Sequence, residues 1–251
     1  MIELYHFEPN AESLKLLIAL KEKAVPFEGR YVDLLDLEHH QDAFKDASGG
    51  GRVPLLSVDG EALKDSQLTL EYLAEAYEPR LAPSDPAGWY DVQAWTVQLD
   101  QALSQAVRLI GWHGVTLPAM SEARRKDFLA RAAGVPKPQA QAGWAQVTSD
   151  AEASEDQLTL ARDKIAGMVD RLEQTLTSSD WLVGGAYSVV DINAFALAHT
   201  LPRLTPELVN EARTPKLMAW LKRIGDREAV KSALAMARQS DLGQDIYAPA
   251  A

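Results

Sequence analysis

Arg52-Val53-Pro54-Leu55-Leu56-Ser57-Val58-Asp59-Gly60-Glu61-Ala62-Leu63-Lys64-Asp65-Ser66 is the stretch whose reading decides the fold. A proline opens an apolar run, 55–58, that reads as a strand. Asp59-Gly60 is a two-residue hairpin signal, because the tight turn needs positive φ, so 61–64 returns antiparallel. Ser66 then caps a helix to residue 77, with Leu70, Leu73 and Tyr77 on one face. Upstream, residues 2–7 read as a strand. Asn10 caps a helix over 11–23 whose Leu14, Leu17 and Ile18 give one apolar face. Pro26 cannot sit in a helix interior, so that helix has ended before a second strand over 27–32. The stretch up to Gly49-Gly50-Gly51 is polar and loop-rich, with one short helix.

The order is strand, helix, strand, loop, strand, hairpin, strand, helix. It predicts an α/β domain with a mixed four-stranded sheet and helices packed on it, the thioredoxin-like order. This domain covers 1–78. Pro79, Pro83 and Pro86 mark a linker over 79–88. After it the strand signals vanish, and 89–251 reads as an all-helical domain. Leu99, Leu103, Val107 and Ile110 recur at helical spacing toward Leu117, and Ile165, Met168, Val169, Leu172 and Leu176 define another helix. Ser188-Val189-Val190-Asp191 is a capping pattern that opens an almost wholly apolar helix, which belongs in the domain's centre. Thr214-Pro215 caps a further helix that stops at Gly225, and a last one spans 227–238. Residues 118–155 read as an insertion with a local basic excess: Arg124, Arg125, Lys126, Arg131 and Lys137. It is either a solvated helical segment with a loop or a wall over a site, with Trp144 as a contact.

Composition narrows the function. The 251 residues carry a formal net charge of -11, which opposes nonspecific nucleic-acid binding because that needs cations to displace counterions. There is no cysteine, so disulfides, thiolate metal sites and a cysteine nucleophile are excluded. No stretch approaches the roughly 18 apolar residues of a membrane helix. The N-terminus lacks a basic leader and reads directly as a strand. The expectation is a cytoplasmic protein with no metal, no nucleic acid and no membrane partner. His39-His40 lie in a polar loop without a third ligand at a set spacing, which does not make a metal site.

Two elements carry chemistry. At Val53-Pro54 a cis peptide would turn the Val53 N–H and C=O outward to pair with an extended peptide, whereas a trans proline would only start an edge strand. At Asp65-Ser66 the hydroxyl and the first free N–H groups of the helix form an anion site, and the neighbouring acid can accept from an ammonium. Together they match the α-carboxylate and α-amino ends of a γ-glutamyl group. The alternative is an ordinary helix cap.

Val53-Pro54 and Asp65-Ser66 in a thioredoxin-like domain, before a helical domain with a buried S-x-x-D cap, resemble the cytosolic glutathione transferases. The resemblance covers the whole chain. It implies glutathione as co-substrate, with Val53 pairing to the cysteinyl backbone and Asp65-Ser66 holding the γ-glutamyl end. His40 and Arg52 match the positions that receive the glycyl carboxylate, and Ser188 and Asp191 are structural. Ser13, near the start of the first helix, matches the hydroxyl that stabilises the thiolate, with Asn10 as the other donor. Glu12 beside them would oppose a thiolate if it faced the sulfur. The family also implies a homodimer, or a heterodimer with a related chain.

Glu12-Ser13-Leu14-Lys15, Glu22-Lys23 before Phe27-Glu28, and Ile110-Gly111-Trp112-His113 are similar to the bacterial β-etherase branch. That likeness implies thiolate attack on the ether-bearing carbon of lignin-derived β-aryl ethers, with Trp112 and His113 facing the aromatic substrate. Ala47-Ser48-Gly49-Gly50-Gly51-Arg52 departs from the family pattern before Val-Pro and predicts a floppy approach to the peptide site. A scaffold that keeps the fold without catalysis is the alternative.

Overall fold

The computed structural model describes residues 1–7, 10–134 and 153–238. The N-terminal part comprises β1 (Ile2–His6), α1 (Ala11–Glu22), β2 (Glu28–Tyr31), α2 (Asp42–Ser48), β3 (Leu55–Val58), β4 (Glu61–Leu63) and α3 (Ser66–Ala76). Its sheet order is β2-β1-β3-β4. β2 runs parallel to β1, while β3 is antiparallel to β1 and β4 to β3. The predicted hairpin is present: Asp59 and Gly60 have φ of 50° and 89° and join the Val58–Glu61 pair.

The C-terminal part is helical throughout its described residues: α4 (Pro86–Leu99), α5 (Gln105–Gly111), α6 (Leu117–Ala119), α7 (Glu122–Gly134), α8 (Glu155–Ser178), α9 (Val189–Ala198), α10 (Leu201–Leu204), α11 (Pro215–Gly225) and α12 (Glu228–Leu234). Five-residue π-helical stretches, Asp100–Ser104 and Trp112–Thr116, join α4, α5 and α6 into one path. Two boundaries and one cap differ from expectation. Asp85 accepts from the Gly88 N–H at 2.9 Å and starts α4 at Pro86, so the helix takes over the end of the predicted linker. The last helix ends at Leu234. Thr214 does not cap α11 through its side chain. Glu173, from α8, instead accepts from the Lys216 and Leu217 N–H groups at 3.1 and 2.7 Å.

A single core unites both parts, and α1 lies at its centre. Ser13 through Leu20 are all buried, so the single apolar face predicted for α1 is in fact a helix buried all round. The sequence 16–20, Leu-Leu-Ile-Ala-Leu, supplies that envelope, since no polar residue interrupts it. Around α1 pack α3, α9 and α12. Leu4 and Leu56 of the sheet share the core with Val190, Phe195 and Trp220.

Buried polar groups tie this core together. Asp191, wholly buried, accepts from Leu182 N–H (3.2 Å), Trp220 Nε1–H (3.0 Å), Ser188 N–H (3.0 Å) and Ser188 Oγ–H (3.1 Å). Burial pushes its carboxyl up to about 6, against the pull of those donors. The Lys23 ammonium donates to the carbonyls of Ala74 (2.8 Å), Pro79 (2.6 Å) and Tyr77, satisfying the end of α3. Arg227 grips Glu22 with two bonds of 2.6 and 2.8 Å, tying α12 to α1. The Val189 N–H donates to Leu81 O at 2.7 Å.

The glycine run is anchored, not floppy. Gly49 (φ 65°) ends α2 in the left-handed conformation, and Gly50 N–H donates to Lys45 O at 3.0 Å. Gly51 N–H donates to Ser48 Oγ at 2.7 Å, and that hydroxyl donates to Phe44 O at 2.7 Å. A Cβ on Gly51 would lie 2.5 Å from the His39 carbonyl oxygen, and its φ is 78°. The loop therefore delivers Arg52 and the cis Val53-Pro54 peptide along a fixed path.

Two outcomes follow from these contacts. Gly51→Ala should cost about 1–3 kcal/mol in urea unfolding, because it combines positive φ with a backbone clash. For Asp191, the folded carboxyl holds its proton to a higher pH than the unfolded one. Its contribution to stability is thus full below about pH 4 and is lost as pH rises through about 6. The stability of wild type relative to Asp191→Asn should fall across that window by an amount on the order of 3 kcal/mol, read from urea midpoints at stepped pH. A flat difference would contradict the burial argument.

Candidate active site

The site is assembled where α1 and α3 begin. Asn10 caps α1, its Oδ1 accepting from Ser13 N–H at 2.8 Å. Asp65, rather than Ser66, caps α3: its Oδ1 accepts from Gln67 N–H (3.0 Å) and Leu68 N–H (2.9 Å). Ser66 is the first helical residue, displaced by one position from the reading of the sequence. The reason is chemical, since a carboxylate is the stronger acceptor and complements the positive helix end. Two of the N–H groups counted as an anion site are thereby taken.

The Ser66 hydroxyl donates to Glu12 Oε2. The same oxygen meets Lys15 Nζ at 2.6 Å. Lys15 is buried, its side chain 6% exposed, whereas Glu12 is 38% exposed. Burial pushes the Glu12 carboxyl up, but the Lys15 charge and the bonds from Lys15 and Ser66 outweigh it and hold it below the ordinary value. Glu12 is thus bound toward Ser66, at the start of α3. These groups line a cavity of about 420 Å³. Its far wall comes from the helical part, including Gln93, Thr96, Ser104 and Asn193.

Lys15 was not legible as a site residue from motifs. The available signal was its position: a lysine inside Leu14-Lys15-Leu16-Leu17 must bring a partner into the core. Asn193 gave no signal beyond being the polar residue of an apolar helix.

At the expected sulfur end, Ser13 is completely buried and its hydroxyl accepts from Phe7 N–H at 3.4 Å. A side chain without exposed surface offers no contact to a ligand thiol in this conformation. Asn10 keeps partial exposure at the same helix end. At the expected glycyl end, Arg52 is exposed. His40 is half-buried against His39, ring centroids 4.1 Å apart. Burial and the Lys45 charge lower the His40 pKa, so at neutral pH it is a neutral imidazole and not a cation. His39 is buried and pushed down to about 3 by burial and by His40.

Trp112 and His113 sit where the helical path meets the start of the insertion. Trp112 stacks on Phe128 of α7, centroids 5.8 Å apart at 19°. Leu35, Met120 and Phe128 form a second small core, against which Phe7, Leu37, Trp112 and Leu129 pack. Phe128 thereby docks the start of the insertion onto the N-terminal part beside the end of β1. His113 follows, half-buried, in the π-helical stretch. Trp144 and Lys137 lie outside the described residues. Among the described residues no group of His, Cys, Asp and Glu is arranged to hold a metal ion. No helix among them is long and apolar enough to cross a membrane.

Comparison with known proteins gives the family of this fold. Residues 12–76 match the glutathione S-transferase N-terminal domain and residues 137–228 the C-terminal domain. Protein LigF of Sphingobium sp. (strain NBRC 103272 / SYK-6) is 34% identical over 250 residues, covering 96% of each chain. The crystal structure of β-etherase LigF from that strain superposes with a TM-score of 0.81, covering 94% of this chain and 99% of that one. Rat glutathione S-transferase theta-1 is 28% identical over 236 residues, 89% of this chain and 82% of its own. This chain belongs to the glutathione S-transferase family.

Proposed function

We propose that this protein uses glutathione to cleave β-aryl ethers of lignin-derived aromatics. The observation that carries the reading is the likeness to the β-etherase LigF over nearly the whole chain. In the proposed reaction the glutathione thiolate attacks the ether-bearing carbon. A C–S bond forms, the C–O bond breaks, and the phenolate departs and takes a proton. The site's contribution is positioning and stabilisation of the thiolate. Val53 pairs with the cysteinyl backbone beside Pro54. Asp65 and Ser66 hold the γ-glutamyl end, and Arg52 with neutral His40 holds the glycyl carboxylate. Asn10 donates to the thiolate, which the positive end of α1 also favours. Ser13 acts indirectly: its hydroxyl accepts from the Phe7 N–H, and its own backbone N–H donates to the Asn10 side chain. Trp112 lines the aromatic side and His113 hydrogen-bonds the leaving oxygen.

The domain division at 78 and 89, a cytoplasmic location and a dimer belong to the same proposal. The exposed apolar side chains of Leu68 and Tyr72 on α3, and Tyr90 and Val97 on α4, support a second chain on that face, identical or related. One contact favours the alternative of a non-catalytic scaffold: Glu12 already occupies the Ser66 hydroxyl.

Phenol release from a β-aryl ether, followed with and without glutathione, tests the reaction. Release should require glutathione. No release from either enantiomer despite glutathione binding would support the scaffold, and absence of binding in calorimetry would remove the transferase reading. Asn10→Ala should lower kcat by about tenfold or more, ~1.4 kcal/mol, and raise the pH midpoint of thiolate absorbance in the bound state. Ser13→Ala should instead lower stability. An unchanged midpoint in Asn10→Ala would return the thiolate role to Ser13 or to the backbone.

A further inference from the structure

Glu12 carries chemistry that the proposed reaction does not use. Its Oε2 takes the Ser66 hydroxyl proton and the Lys15 ammonium at once. Those are the two donors that a ligand carboxylate arriving at the start of α3 would need, because Asp65 already accepts from Gln67 and Leu68. Lys15 is the one cation among the described residues lining the cavity, against the carboxylates of Glu12, Asp65, Glu71 and Asp100. Glu71 is engaged by Gln67 Nε2 at 3.1 Å. Glu12 is the more exposed member of its ion pair, and it stands on the first turn of α1, so its carboxylate has room to move while Lys15 stays buried.

We propose that Glu12 is the selectivity residue of the γ-glutamyl subsite, a resident carboxylate that an incoming α-carboxylate displaces from Ser66 and that then pairs with the ligand's α-ammonium. This rests on the glutathione reading above. Exchange of one carboxylate for another at Ser66 and Lys15 keeps both donors satisfied. The displaced Glu12 is left beside acidic neighbours, and a cation brought by the ligand relieves that arrangement. A peptide that carries the carboxylate but no ammonium displaces Glu12 and leaves its charge uncompensated. A peptide with the ammonium but no α-carboxylate leaves Glu12 in place and gains its attraction. The subsite therefore selects for the α-ammonium, beyond simple anion capture.

The experiment compares three tripeptides by calorimetry on the full-length protein: glutathione, glutaryl-Cys-Gly, which lacks the ammonium, and 4-aminobutyryl-Cys-Gly, which lacks the α-carboxylate. In Glu12→Gln the competitor loses its charge and the ammonium loses its partner. Glutaryl-Cys-Gly should bind about tenfold tighter than to wild type, and 4-aminobutyryl-Cys-Gly should bind several-fold weaker. In Ser66→Ala the tightening of glutaryl-Cys-Gly by Glu12→Gln should shrink, since the shared donor is gone. Equal shifts for both analogues, or none, in a variant with wild-type circular dichroism would overturn the role of Glu12. Glu12→Asp, which keeps the charge on a shorter arm, serves if the glutamine variant misfolds. It should keep the affinity for 4-aminobutyryl-Cys-Gly while tightening glutaryl-Cys-Gly, and no tightening would likewise overturn the proposal. Failure of glutathione itself to bind wild type would fall on the glutathione reading instead.

Discussion

The rest of the structure depends on the burial of α1. A helix whose residues 13–20 all avoid water cannot be covered by a four-stranded sheet alone. The sheet takes one side and α3 another, which leaves the remainder for α9 and α12 of the helical part. The two parts are therefore joined by one apolar core, with Leu17, Ile18 and Leu20 in its middle. The same constraint locates the site. With α1 held on all sides, its first turn is fixed against the first turn of α3, and the groups at both helix ends face one cavity. The bidentate Glu22–Arg227 pair and the Lys23 ammonium lock the opposite end of α1.

Much of this was legible in the sequence because local chemistry and global fold agree. Asp59-Gly60 fixed the hairpin, Ser188-Asp191 the cap of α9, and the apolar spacing after residue 99 the long helical path. Two of the misreadings trace to a partner distant in sequence. α11 is capped by Glu173, more than forty residues upstream, where Thr214 looked sufficient. The gain of the second domain's surface turned the one-faced α1 into a fully buried helix. Three adjacent glycines suggested freedom, yet Ser48 and the His39 carbonyl constrain them into a single path.

The site shows the same division. Asp65-Ser66 and Val53-Pro54 could be named as candidates because each is a pair of neighbours in the chain. The link from Glu12 to Ser66 crosses 54 positions and could not be read from either segment. It changes the meaning of Glu12: a carboxylate that looked unfavourable for a thiolate is held against Ser66 at the start of α3. Ser13 changes as well. It is buried, and its hydroxyl accepts from the Phe7 N–H just after β1. With the His40 pKa lowered, Arg52 is the exposed cation of that pair.

The most direct test of this account is a crystal structure of the protein with glutathione bound. The cysteinyl backbone should pair with Val53, the α-carboxylate should accept from Ser66 Oγ, and the Glu12 carboxylate should have left that hydroxyl for the ligand's ammonium. Glutathione bound elsewhere, or bound with Glu12 still on Ser66, would contradict it.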